Sequence, residues 1–379
     1  MTEAVICAVA RTPVGCYRGA LADRSAVDLG VHVVEGLLAR LDIDPASGTV
    51  EDLLFGQVLQ AGAGQAPARQ VALGAGLPTG TPATTINMVC GSSLKAVMMA
   101  ANSIRAGEYE VIVAGGMESM SNAPYFAHKT SRTEFSTLQP TMIHDGLWDV
   151  YNDEHMGNTG ETVSTEFDVS REAADAFAVR SHRLAAKAWE DGIFDFEVVP
   201  TPGLDRDEGI LASLNLAEMK PAFSEDGRVT AGNSSQLSDG AAAVLVASRA
   251  VAEANGWPIL ATIQDYITTG VEPARVMAAP IPAIEQLLSR NGLTVEDLTH
   301  VEHNEAFAAA SCAVAKACNI PDEKFNPHGG AVAIGHPLGA TGARCLMTLL
   351  NALRRAGGGK GIATLCLGGG NAVGMLIEV

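Results

Sequence analysis

Short apolar runs of strand character alternate with stretches of helical periodicity along most of the chain, and this alternation restricts the fold more than any other feature. The strand-like runs fall at 4–9, 53–58, 83–89, 110–115, 241–247, 259–264, 298–304 and 361–367, with helical patterns at 95–106, 171–190, 281–290, 306–318 and 340–355. Runs that are apolar throughout need cover on both faces of a sheet, and intervening helices supply it, so the pattern predicts an α/β fold. Two stretches repeat the same order: Lys95 to Gly116 and Gly342 to Gly370 each pass from helix to Ala-Gly turn, buried strand and glycine cluster. The echo predicts two duplicated halves, in keeping with a length of 379 residues, which exceeds one ordinary domain. From about Glu118 to Gln236 the chain is richer in aromatic, charged and polar turn residues and reads as an inserted loop domain, the kind of insertion that carries specificity on a rigid scaffold.

Composition narrows the partners. A formal net charge of −18 leaves no extended row of cations for nucleic acid or an anionic membrane surface, so an anionic substrate must be held locally. The uncharged run from Gln70 to Leu94 is broken by Gly, Pro, Thr and Ser and does not read as a membrane helix. The first nine residues read as a buried strand rather than a basic, cleavable leader, which makes a cytoplasmic protein the expectation. Seven cysteines without a CxxC pair suggest neither a disulfide framework nor a zinc site, and no metal or redox cofactor is expected.

Four segments carry reactive residue types. In Thr85-Ile86-Asn87-Met88-Val89-Cys90-Gly91-Ser92, a cysteine stands where a buried strand yields to a helix. Free N–H groups and the positive dipole end there favour a thiolate and an oxyanion, although isolated cysteines in such places are often inert. Gly335-His336-Pro337 sets one histidine among glycines ahead of a helix, where it could deprotonate a thiol or donate to a carbonyl oxygen; a glycine-rich turn with a structural histidine also fits. Cys366-Leu367-Gly368-Gly369-Gly370 places a second thiol at the carboxyl end of a strand, where α/β proteins build their sites, without a Walker or dinucleotide signature. His303-Asn304-Glu305-Ala306-Phe307 lies at a strand-to-helix junction; Asn304 could polarise a carbonyl or hold a water, or it could simply cap the helix.

Together with Ala10-Arg11-Thr12-Pro13, Gly56-Gln57-Val58 and Gly115-Gly116-Met117-Glu118-Ser119-Met120, these segments resemble the thiolase family over essentially the whole chain. The resemblance implies two βαβαβαββ halves in a five-layer αβαβα arrangement, with residues 1–117 and 237–257 as the N-terminal half, 118–236 as an inserted CoA-binding and oligomerisation loop domain, and 258–379 as the C-terminal half. It further implies a ping-pong reaction through an acyl-Cys90 intermediate, with His336 taking the thiol proton and Cys366 acting as acid and base. Two oxyanion sites follow, one from His336 and a water on Asn304, the other from the backbone N–H groups of Cys90 and Gly368. Substrate contacts carried over in the same way are His155, Met156, Lys220, Ala231, Ser235 and Phe307.

Acyl-CoA and CoA are then substrates and products, and a homotetramer is favoured over a dimer. The Met-Glu-Ser-Met and His-Met-Gly segments favour the type that condenses two acetyl-CoA to acetoacetyl-CoA over a degradative 3-ketoacyl-CoA thiolase of longer chain length. Cys366 in place of a second histidine speaks against a decarboxylating condensing enzyme, and the unbroken set speaks against a non-catalytic acyl-CoA or lipid binder. Lys220, Ser93, Gln236, Pro327-His328 and Ala372 depart from the family pattern and bear on substrate range and loop geometry.

Overall fold

The computed structural model describes residues 2–211 and 213–379. Its first half runs β1 (Ala4–Arg11), α1 (Ala26–Ala39), β2 (Asp52–Gly56), α2 (Pro67–Gly74), β3 (Ala83–Ile86), α3 (Ser92–Ala106) and β4 (Val111–Ser119). After a long excursion containing α4 (Met156–Glu166) and α5 (Arg171–Glu190), it closes with β5 (Ser238–Ser248). The second half repeats the order with β6 (Ala261–Gly270), α6 (Pro280–Asn291), β7 (Leu298–His303), α7 (Ala308–Ala317), α8 (Thr341–Arg355), β8 (Lys360–Leu367) and β9 (Asn371–Glu378).

Strand pairing makes the duplication explicit. The first half is ordered β3-β2-β4-β5-β1 and the second β7-β8-β9-β6, so each places its last strand antiparallel between the strand before it and its first. Where β3 flanks β2, the second half has only a parallel bridge from Val301 to Phe325. The two sheets meet edge to edge through just two pairs, Val5 with Thr262 and Ile6 with Ala261.

Alternation along β5 explains the layers. Ala242, Val244 and Val246 face a central core shared with α3 and α8, whereas Ala243, Leu245 and Ala247 face an outer core beneath α1 and α2. Ile362 and Leu376 do the same on the other sheet beneath α6. The result is a five-layer αβαβα sandwich whose middle layer is α3 and α8. These helices cross just past their N-termini: Ser93 Oγ accepts the Ala343 N–H at 2.9 Å, and a Cβ on Gly342 would lie 2.5 Å from the Leu94 nitrogen. Only a residue without a side chain lets them approach so closely. No helix among the described residues is long and apolar enough to cross a membrane.

Several boundaries differ from the sequence reading. The strand read over 83–89 ends at Ile86 and is a half-exposed edge rather than a buried strand, because β3 is paired on one side only. The run at 53–58 ends as a strand at Gly56: the Gln57 N–H still donates to the Ile86 carbonyl, and Glu118 then takes the N–H groups of Val58 and Leu59. The first strand of the second half starts at Ala261 and extends to Gly270, beyond the expected 264. Helices α1, α2 and α4 and strand β9 were not read at all.

Candidate active site

The crossing of α3 and α8 brings their N-terminal approaches together, and these approaches carry Cys90 and His336. Val89 adopts φ 45°, a left-handed conformation that costs a β-branched residue about 1–3 kcal/mol. The kink turns the chain sharply into Gly91 and the first turn of α3, and Cys90 is thereby presented to a cavity. Asn87 Oδ1 accepts the Val89 N–H at 3.1 Å, and Ser92 Oγ accepts the Met88 N–H at 2.8 Å and donates to the Val89 carbonyl at 2.6 Å.

His336 is held from two sides. Its backbone N–H is shared by the Gln236 carbonyl at 3.1 Å and Ser238 Oγ at 3.2 Å. Its Nδ1 lies 2.7 Å from Thr341 Oγ1, whose own hydrogen goes to the Pro337 carbonyl at 2.8 Å. With that hydrogen committed, Thr341 can only accept, so Nδ1 carries the imidazole proton and Nε2 presents a lone pair. Asn304 Nδ2 approaches Nε2 at 3.3 Å, and Asn304 Oδ1 is buried with no protein partner.

Cys90, His336, Cys366 and the Gly368 backbone line one narrow cavity of about 50 Å³, completed by apolar side chains including Leu147, Met156, Met277 and Phe307. Cys366 Sγ lies 3.7 Å from Met277 Sδ. A wider channel of about 390 Å³ shares Leu147, Ser235, Phe307, His336 and Leu338 with this chamber and adds His155, Phe223 and Ala231. The two form one passage from the surface to the thiols. His155 caps α4 by accepting the Gly157 N–H at 3.0 Å and stacks on Phe223 with ring centres 4.9 Å apart.

The site is buried and, at rest, uncharged. Burial first, then the proximity of Cys366 and Glu118, pushes the Cys90 thiol up, while the N–H groups of Cys90 and Gly368 pull against them. Burial pushes Cys366 up to about 12. Burial, aided by the charge of Arg344, pushes His336 down to about 3. The helix terminus therefore does not hold a resting thiolate, as its sequence setting suggested; desolvation outweighs its dipole, and the pair begins as thiol and neutral imidazole.

Of the sequence candidates, Cys90, His336, Cys366, Gly368, Met156, Ser235 and Phe307 line the inner chamber, and His155 and Ala231 line the channel. Lys220 is exposed and borders neither space. Asn304 and Glu305 do not serve the following helix, which begins at Ala308 after Phe307. Glu305 is fully buried instead, accepting from Ser181 Oγ at 2.6 Å, Asn326 Nδ2 at 2.9 Å and the Val332 N–H at 3.1 Å, so it ties the glycine loop before His336 to α5. Thr341, Ser238, Met277 and Phe223 were not singled out in the sequence. Thr341 had a usable signal, a hydroxyl in the first turn of the helix that follows the histidine; Met277 had none, because it reaches Cys366 only through the fold.

Two family models cover the chain. "Thiolase, N-terminal domain" matches residues 4–250 and "Thiolase, C-terminal domain" matches residues 257–379. Among curated relatives, an acetyl-CoA acetyltransferase of Pseudomonas aeruginosa is 46% identical over 392 residues, covering 100% of this chain and 99% of its own length. One of Cupriavidus necator is 47% identical over 394 residues, covering 100% of both chains. Among solved structures, the Acat5 thiolase of Ascaris suum in complex with coenzyme A superposes with a TM-score of 0.95 at 37% identity, covering 99% of each chain.

Proposed function

The chain belongs to the thiolase family, and from that premise we propose that it is an acetyl-CoA C-acetyltransferase, interconverting two acetyl-CoA with acetoacetyl-CoA and CoA through an acetyl thioester on Cys90. The observation that carries this reading is the convergence of two thiols and one imidazole on a single chamber at the end of a channel. The relatives named above and the coenzyme A complex of the Ascaris suum thiolase support it.

The chemistry balances on these groups. Cys90 Sγ attacks the acetyl-CoA carbonyl while His336 Nε2 takes the thiol proton, and the oxyanion points at the N–H groups of Cys90 and Gly368. The bond from carbon to the CoA sulfur breaks, and Cys366 gives its proton to the departing sulfur, leaving acetyl-Cys90, a Cys366 thiolate and an imidazolium. The imidazolium offsets the charge on Cys366, which is how a thiol held near 12 becomes available as a base. Cys366 then removes an α-proton from a second acetyl-CoA, and the enolate oxygen is met by the protonated Nε2 and by a water on the free Asn304 Oδ1. The enolate carbon attacks acetyl-Cys90, the bond from carbon to the Cys90 sulfur breaks, and His336 returns the proton to that sulfur. Thiolysis is the reverse.

The narrow inner chamber walled by Met156, Met277 and Leu147 favours a two-carbon acyl group over longer ones. A panel of 3-ketoacyl-CoA esters of rising length, each incubated with CoA, tests this. kcat/KM is expected to be highest for acetoacetyl-CoA and to fall as the chain lengthens; a value that rises with length assigns the chain to the degradative type.

A further inference from the structure

Helix α8 is buried along nearly its whole length, yet it carries an arginine into the central layer. Arg344 is 1% exposed and Glu302 is fully buried, with Arg344 Nη1 2.7 Å from Glu302 Oε1. A buried guanidinium–carboxyl contact of this kind is rarely a net gain over an apolar pair of the same volume, so stability alone does not account for it. Its location does suggest a role. Arg344 stands three residues beyond Thr341, which fixes the His336 ring, and Glu302 stands two residues before Asn304 on β7. The contact therefore joins β7 and α8 beside the segments that leave the one and lead into the other, whose side chains meet at 3.3 Å between Asn304 Nδ2 and His336 Nε2.

We propose that Arg344 and Glu302 are positioning residues for the thiol–imidazole site: their contact locks α8 to the end of β7, and it fixes a permanently charged guanidinium in the central layer. The groups facing the pair are Arg11 and Cys345 around Arg344, Glu197 and Glu305 around Glu302, and His336 itself. Burial, with Glu305 and Glu197 nearby, pushes Glu302 up to about 8 against the pull of Arg344. The guanidinium charge is thus incompletely neutralised and acts on the imidazole, keeping Nε2 free to accept the Cys90 proton. Arg344 Nε and Nη2 and Glu302 Oε2 have no further protein partner, so nothing else joins these elements at this point through the pair.

The proposal rests on the acyltransferase reading for its kinetic arm, and a second arm is independent of it. Wild type, Glu302→Gln, Arg344→Met and the double variant Arg344→Met/Glu302→Gln are compared in thiolysis of acetoacetyl-CoA and in the pH profile of Cys90 alkylation by iodoacetamide. Glu302→Gln retains an acceptor for Arg344 and is expected to lower kcat, and to move the profile, less than Arg344→Met does. Arg344→Met is expected to lower kcat by about tenfold to a hundredfold, as misplaced groups do, with KM for CoA unchanged. It also moves the pH below which alkylation slows to a higher value. If Arg344→Met fails to fold around an unpaired Glu302, the double variant, which removes both ionisable groups of the pair, is expected to fold and show the same two changes. A folded Arg344→Met or double variant with wild-type kcat and a wild-type alkylation profile would overturn the proposal. A wild-type protein that cleaves no acetoacetyl-CoA would sink the functional reading instead, and the alkylation profile would still decide the role of the pair.

Discussion

The Thr341 hydroxyl decides which nitrogen of His336 faces the thiols. Because it donates to the Pro337 carbonyl, it can only accept from Nδ1, and the lone pair on Nε2 follows. Thr341→Val keeps the shape and removes the acceptor, stranding a buried N–H at a cost of about 1–3 kcal/mol and freeing the ring to turn. The expected outcome is a small loss of stability in denaturant unfolding with kcat reduced by about tenfold to a hundredfold, restored by Thr341→Ser; an unchanged kcat in Thr341→Val would remove the tautomer argument. The positions of Cys90, His336, Asn304 and Cys366 were legible because each stands where a strand or helix ends beside turn residues that announce it. The orienting partners were less so: Met277 lies 89 residues from Cys366 in sequence and meets it only once the second half has folded.

At the scale of elements, the site is made by two helices that begin at the same place. Glycine shapes the approach to α8 as well: a Cβ on Gly116, in β4, would fall 2.0 Å from the carbonyl oxygen of Gly339, three residues after His336. Gly116→Ala must therefore displace the His336 loop, with an expected cost of about 1–3 kcal/mol in unfolding free energy and a fall in kcat that exceeds any change in KM. Retention of full kcat would show that the loop tolerates the shift. The strands and the two central helices were readable from their apolar runs, since buried elements leave little room for polar residues. Helix α1 was not, because Gly30, Gly36 and four valines lower its intrinsic propensity, and it forms on packing and on a capping box between Ser25 and Asp28. That box was a signal in plain sight. Strand β9 follows directly on a glycine cluster that drew the reading toward a site and away from a hairpin.

Across the whole molecule, burial holds many titratable groups uncharged, and the sign of each contribution to stability follows. His182, His303, His328 and His336 are pushed down to about 4, 3, 4 and 3 by desolvation. The unfolded chain takes up those protons near pH 6.5, so their share of stability is complete above about 6.5 and is lost as pH falls toward 4. Glu118 and Glu302 run the other way: burial raises them to about 7 and about 8, so their share is present below the ordinary value of 4.5 and is lost as pH rises through those values. Melting temperature is therefore expected to decline as pH rises from about 6.5 to 8, where only the two carboxyls titrate, and to decline also as pH falls below about 6.5, where four histidines outweigh two carboxyls. A Tm that climbs between about pH 6.5 and 8 would contradict this distribution. The duplication was legible in the sequence as an echo of two segments, and the five layers and the two-thiol site were implied by the family resemblance; how closely α3 and α8 cross, with Gly342 against Leu94, became visible only in three dimensions.

That convergence is the central claim, and it is tested most directly on the thiol itself. The protein is incubated with acetoacetyl-CoA carrying a labelled acetyl group, quenched in acid, digested and read by peptide mass spectrometry. With the label on the terminal acetyl group, one labelled acetyl is expected on Cys90 and none on Cys366, unlabelled acetyl-CoA is released in that step, labelled acetyl-CoA appears when CoA is added, and all these signals are absent in Cys90→Ala. Turnover that persists in Cys90→Ala, or a label found on Cys366 rather than Cys90, would contradict the assignment.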